Sequence, residues 1–130
     1  MNNERFNLSG KTALVTGGGR GIGYAIAKGM AEHGADVAII ARTEEQLEAA
    51  AGQIEADTDR KVRAFSFDLA DLAGIEGLFE NVICETKAVD ILVNCAGAWG
   101  DRIASWIGDN APLTPTPLTM MVTARVRAVL

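Results

Sequence analysis

Short apolar, often β-branched runs alternate along the chain with longer stretches whose apolar positions recur every three or four residues. Residues 11–16 (KTALVT) form the first short run and stop at a glycine cluster. Residues 36–41 (DVAIIA) and 89–94 (VDILVN) are almost continuously apolar, as suits parallel strands covered on both faces. Residues 61–67 (KVRAFSF) alternate more, as an edge strand does. Between the runs lie helical patterns. Ile22, Ile26, Met30 and His33 share one face, and Gly34 is a natural stop. Thr43 to Gln46 spells a T-x-x-Q capping box, followed by a stripe of Leu47, Ala50, Ala51 and Ile54. Asp71 is positioned to cap a third helix with a stripe of Ile75, Leu78, Phe79, Val82 and Ile83. Strand and helix alternating at this spacing predict right-handed βαβ crossovers. The fold class is therefore α/β, a doubly wound parallel sheet of about four strands in the order 3-2-1-4.

The pattern breaks near residue 99. Beyond it lie both tryptophans (Trp99, Trp106) and all three prolines (Pro112, Pro115, Pro117), with no strong strand. Residues 113–118 (LTPTPL) read as an extended linker, and the end of the chain as helical. The expected organisation is a globular unit over residues 1–98 and an atypical tail over 99–130.

Composition narrows the class. At 130 residues, with 48% apolar and 22% charged, the chain is long enough to bury roughly two thirds of its unfolded surface. This excludes a disordered segment or a disulfide scaffold. A net charge of −5 gives no bulk attraction for a phosphate backbone, which argues against a nucleic-acid partner. Cys84 and Cys95 form no C-x-x-C pair, and His33 alone cannot complete a zinc set with them, so no metal site is expected. The polar start is not a signal peptide, and no apolar run approaches the about 18 residues of a membrane span. These features point to a reducing, cytoplasmic setting.

The informative chemistry sits where the first strand meets the first helix. Residues 16–23 read Thr-Gly-Gly-Gly-Arg-Gly-Ile-Gly. Glycines let a backbone turn sharply and approach a pyrophosphate, and the following helix N-terminus offers free N–H groups. A Walker A loop is excluded, because no Lys-Ser/Thr pair follows. The G-x-G-x-x-G register also fails, since Ile22 or Tyr24 falls on its third glycine. The spacing that fits is T-G-x-x-x-G-x-G. A merely tight βα turn is the plainer reading.

This loop resembles the cofactor fingerprint of the short-chain dehydrogenase/reductase family. Three further matches follow in order: the opening strand over residues 10–16, Asp68 just after the third strand, and Asn94-Cys95-Ala96-Gly97, one substitution from the family's N-N-A-G. The resemblance covers residues 8–98 and makes them a Rossmann-like, dinucleotide-binding unit. It implies that Gly17, Gly19, Arg20, Gly21, Ile22 and Gly23 hold the pyrophosphate. It also implies that Asp68, with Leu69 beside it, meets the adenine, and that Asn94, Ala96 and Gly97 line the ribose side. Taken alone, Asp68 also reads as a cap or turn residue, and residues 94–97 as a strand-ending turn.

The end of the second strand bears on which dinucleotide binds. Ala41 stands where the family's NAD-selecting acid belongs, and Arg42 and Thr43 follow. Two guanidinium groups, Arg20 and Arg42, with the Thr43 hydroxyl suit a 2′-phosphate. NADP(H) is therefore favoured over NAD(H). The alternative is that both arginines are solvated surface charges.

The family transfers a hydride between the nicotinamide and a small carbonyl or secondary alcohol substrate. It uses a serine, a tyrosine and a lysine four residues beyond the tyrosine, all after a fifth strand. The expectation is that this chain stops short of them, as a truncated, cofactor-binding half with no catalytic residue of its own. Tyr24 and Lys28 have the Y-x-x-x-K spacing but sit in the first helix as an i, i+4 surface pair. Ser66 and Ser105 lie in the wrong places for the family serine. In the last segment Arg125 or Thr123 replaces the asparagine of the family's fourth helix. Trp99 and Trp106 read as core or interface aromatics, or as a substrate wall. Residues 89–93 are expected to form an open apolar edge that invites aggregation or pairing with another chain, such as a second copy, unless the tail or a partner covers it. The rival readings are a non-catalytic dinucleotide-binding or regulatory module, and a remnant without a stable fold.

Overall fold

A computed structural model describes residues 4–69, 71–95 and 121–123. A 3-10 turn at Glu4–Phe6 leads into strand β1 (Thr12–Thr16), helix α1 (Gly21–Glu32), β2 (Asp36–Ala41), α2 (Glu44–Thr58), β3 (Val62–Ser66), α3 (Ile75–Thr86), β4 (Ile91–Asn94) and β5 (Met121–Thr123). The sheet order is β3-β2-β1-β4-β5. β1 pairs in parallel with β2 (Thr12 opposite Asp36) and with β4 (Ala13 opposite Ile91), and β2 with β3 (Val37 opposite Val62). The expected 3-2-1-4 order and Rossmann-like winding are present.

The two-faced apolarity of the strands explains the layers. Leu14, Ala38, Ile40, Phe65 and Leu92 face one core with Ile75, Leu78, Phe79 and Val82 of α3. Ala13, Val15, Val37, Ile39 and Val93 face the other, with Ala27 and Ala31 of α1 and Leu47, Ala50 and Ile54 of α2. The crossovers through α1 and α2 run one way along the sheet and the α3 crossover returns. With right-handed connections, that reversal puts α3 on the opposite face.

Four details depart from the sequence reading. First, α1 buries Gly23, Ala27 and Ala31, not the Ile22–His33 face, and Ile22 is 69% exposed. A helix lying close on a sheet needs small residues at the contact, and Ile26 and Met30 flank it half-buried. Second, Thr43 is the N-cap of α2, but its side chain makes no capping hydrogen bond, so the capping box is not closed. Third, α3 starts at Ile75 with Gly74 as N-cap. Asp71 Oδ1 accepts the Gly74 N–H at 3.3 Å in the preceding turn.

Fourth, residues 121–123 form a strand where no strand is expected. β5 runs antiparallel to β4, with Leu92, Val93 and Asn94 opposite Thr123, Val122 and Met121. The β4 edge is therefore covered by the tail over those three residues, the alternative to an open edge. An unsatisfied row of strand amides and carbonyls recruits whatever extended backbone is in reach. The LTPTPL linker and the helical reading of the last residues lie outside the described residues.

Candidate functional site

Because β1 to β4 are parallel, their carboxyl ends line one edge of the sheet. β1 lies between β2 and β4, so the winding reverses across β1, and a crevice opens at its carboxyl end. The glycine loop occupies that position.

The loop is shaped by contacts that exclude side chains. Gly17 has φ +69°, and the Gly17 and Gly18 amides both donate to the Ile40 carbonyl, at 2.7 and 3.2 Å. A Cβ on Gly23 would lie 2.1 Å from the Gly17 carbonyl oxygen, so glycine is what lets α1 start against the loop. Gly21 has φ +62° and open space around its Cβ position. Arg20 is the N-cap of α1 and gives it no side-chain hydrogen bond, and no acidic residue lies in the first turn. The positive end of α1 is thus uncapped and uncompensated, a seat for an anion.

The sequence reading missed Gly18, which occupies a free position of the fingerprint. A Cβ there would lie 2.7 Å from Ile39 Cγ2. The run of three glycines was the available signal.

The neighbouring loops converge on the same edge. A Cβ on Gly19 would sit 3.3 Å from Ala41 Cβ, so the β1–α1 loop touches the end of β2. Arg20, Arg42 and Thr43 are all exposed there. Asp68, exposed after β3, accepts the Asp71 N–H on its carbonyl at 2.9 Å, while Leu69 is buried in the α3 core. Under the crevice, Thr16 Oγ1 donates to Asn94 Oδ1 at 2.8 Å and accepts the Cys95 N–H at 3.1 Å, tying β1 to β4. Asn94 is 1% exposed, and its Nδ2 has no partner among the described residues. Burial pushes the Cys95 thiol above its ordinary value, which keeps it neutral. Ala96 and Gly97 lie outside the described residues.

The structure engages Lys28 elsewhere. Its Nζ lies 3.2 Å from Asp57 Oδ2 of α2, and Tyr24 packs half-buried against the α1–sheet core. Among the described residues no group of three acidic, histidine or cysteine side chains is placed to hold a metal. A cavity of about 240 Å³ lies at the opposite, amino end of the strands, lined in part by Asp36, Arg63 and Glu85. Its carboxylates are already paired, Asp36 with Arg60 at 2.8 Å and Glu85 with Arg63 at 3.5 Å. It takes no part in the crevice.

Three features of the crevice fit a dinucleotide: the uncapped α1 N-terminus, the side-chain-free space at Gly21, and the buried Asn94 amide, without a partner among the described residues.

Residues 11–121 match the short chain dehydrogenase family. A short chain dehydrogenase/reductase of Macrophomina phaseolina, dpmpG, is 39% identical over 93 residues, covering 72% of this chain and 53% of the relative. The structure of L-sorbose reductase from Gluconobacter frateurii, complexed with NADPH and L-sorbose, superimposes with a TM-score of 0.67. It is 37% identical over 71% of this chain and 35% of that one. The Pseudomonas aeruginosa RhlG/NADP complex gives 0.66 at 42% identity, over 71% of this chain and 36% of that one. The chain thus spans between about a third and about half the length of these three relatives. With its strand order, its glycine loop at the reversal of the winding and this family match, the chain belongs to the short-chain dehydrogenases, a family of oxidoreductases.

Proposed function

We propose that these residues form the dinucleotide-binding part of an NADP(H)-dependent oxidoreductase acting on a small carbonyl or secondary alcohol, working in a reducing cytoplasm. The observation that carries the reading is the pair of helix N-termini, those of α1 and α2, on one edge of the sheet. Neither receives a capping hydrogen bond from the side chain of its N-cap residue, Arg20 or Thr43. A dinucleotide phosphorylated on its adenosine ribose presents two anionic groups. The α1 N-terminus, with no acid in its first turn, suits the pyrophosphate. α2 carries Glu44 and Glu45 in its first turn, so a 2′-phosphate beside it relies on the exposed Arg42 and Arg20 guanidinium groups.

In this reading Gly17, its amide bonded to the Ile40 carbonyl, turns the chain beneath the pyrophosphate, and the amides of Gly19, Gly21, Ile22 and Gly23, with Arg20, hold it. Arg42 and Thr43 hold the 2′-phosphate, Asp68 and Leu69 border the adenine, and Asn94, Ala96 and Gly97 flank the ribose. The bound nicotinamide supplies or accepts the hydride. The residues of this chain bind and orient. Thr16 and Asn94 keep the ends of β1 and β4 in register beneath the site, and the neutral Cys95 thiol adds no charge there. No proton-transfer residue is assigned within these 130 residues: the one tyrosine, Tyr24, packs against the core, and its spacing partner Lys28 is paired with Asp57. Complexes of two relatives, one with NADPH and one with NADP, support the phosphorylated cofactor.

Titration of the purified protein with NADPH and NADH tests this. NADPH is expected to bind more tightly. Arg42→Ala is expected to weaken NADPH about tenfold, or about 1.4 kcal/mol, with NADH little changed. Tighter binding of NADH, or an Arg42→Ala variant that keeps full NADPH affinity, overturns the cofactor assignment.

A further inference from the structure

The β2–β3 ladder ends with Ala41 opposite Ser66, and its last backbone bond runs from the Phe67 N–H to the Ala41 carbonyl at 2.9 Å. One residue farther on, the chain leaves β2 for α2, and among the described residues no backbone N–H outside the helices and strands donates to the Arg42 carbonyl. The Ser66 hydroxyl takes that place: its Oγ donates to the Arg42 carbonyl oxygen at 3.1 Å. We infer that Ser66 is a positioning residue for 2′-phosphate recognition, setting the orientation of the Arg42–Thr43 peptide through this hydrogen bond. The inference rests on the reading that Arg42 and Thr43 hold the 2′-phosphate.

The geometry follows from the planarity of the peptide. In a trans peptide the carbonyl and the following N–H point in opposite directions, and the described residues contain no cis bond. With the Arg42 carbonyl drawn toward β3, the Thr43 N–H is turned away from β3, toward the β1 side of β2. The glycine loop is on that side, with the Gly19 Cβ position 3.3 Å from Ala41 Cβ. Thr43 makes no side-chain capping bond of its own. The Ser66 hydroxyl therefore restrains a turn that the capping box leaves loose. A single hydroxyl at the end of one strand aims the amide and hydroxyl of Thr43, and the Cα–Cβ vector of Arg42, from the end of the next.

The test compares Ser66→Ala, Ser66→Thr and Arg42→Ala by titration with NADPH and NADH, with thermal melts of each. Ser66→Ala is expected to weaken NADPH about fivefold, the scale of one lost neutral hydrogen bond, and to leave NADH within about twofold. Ser66→Thr, which keeps the hydroxyl, is expected to restore NADPH affinity. A purely structural role would weaken both cofactors together, and that result overturns the inference. Unchanged NADPH binding in Ser66→Ala, alongside a loss in Arg42→Ala, also overturns it while leaving the cofactor reading intact. No loss in Arg42→Ala removes the cofactor reading and the inference with it.

Discussion

Gly23 and Gly52 are both helical glycines, yet they answer to different physics. A Cβ on Gly23 would meet the backbone oxygen of Gly17, which cannot move without opening the loop, whereas a Cβ on Gly52 in α2 meets nothing within 4 Å. Gly23→Ala is expected to cost about 3 kcal/mol, the upper range for an overpacked site, and to abolish dinucleotide binding. Gly52→Ala is expected to stabilise by roughly 0.5–1 kcal/mol, because alanine loses less freedom in a helix. Urea unfolding of the two variants beside the parent measures both, and equal shifts would contradict the argument. The same distinction explains what the sequence revealed at this scale. The glycine loop was legible because a backbone that must turn and touch backbone leaves no other residue type. Ser66 was invisible, because a serine at the end of a strand has no pattern that announces which carbonyl it holds.

The elements were legible in proportion to how far a local rule governs them. β1 to β4 and the stripes of α2 and α3 follow from apolar period alone. The buried face of α1 does not: Ile22, Ile26 and Met30 make the stronger apolar stripe, but Gly23, Ala27 and Ala31 win because close approach to the sheet excludes bulk there. α1 and α2 are further joined by Lys28 and Asp57 across their exposed sides. Hydrogen bonds from Gln53 and from Lys28 hold the Asp57 carboxyl below its ordinary 3.8. The Asp57 hydrogen bond and charge hold Lys28 above 10.5. The contribution of Asp57 is therefore complete above pH 3.8 and disappears as pH falls through its lowered value. That of Lys28 is complete below pH 10.5 and disappears as pH rises past its raised value. Asp57→Asn is expected to melt below the parent between these limits and to rejoin it on the acid side. A gap that persists undiminished at about pH 2 would show that the pair contributes nothing through its charge.

In the molecule as a whole, β5 decides how the sheet ends. Its three residues carry no strand pattern of their own, since their pairing is dictated by the vacancy beside β4, so no local reading finds them. A chain stopped at residue 120 leaves the Leu92–Asn94 edge unpaired and is expected to self-associate at micromolar concentration, where the parent stays smaller by light scattering. Equal masses would mean that β5 does not guard that edge. The hydrogen bond from Thr16 to Asn94 has a further meaning in time. It joins residues 78 positions apart, whereas β1 and β2 pair across a single helix. Closing the longer loop costs about 1 kcal/mol more in chain entropy, so the β1–β4 seam is expected to be among the last parts of the sheet to form. During synthesis the first three strands can pair while β4 is still being made. The nascent chain therefore has its glycine loop well before it has the second wall of the crevice, so on the proposed function a dinucleotide meets a complete seat only late in its maturation.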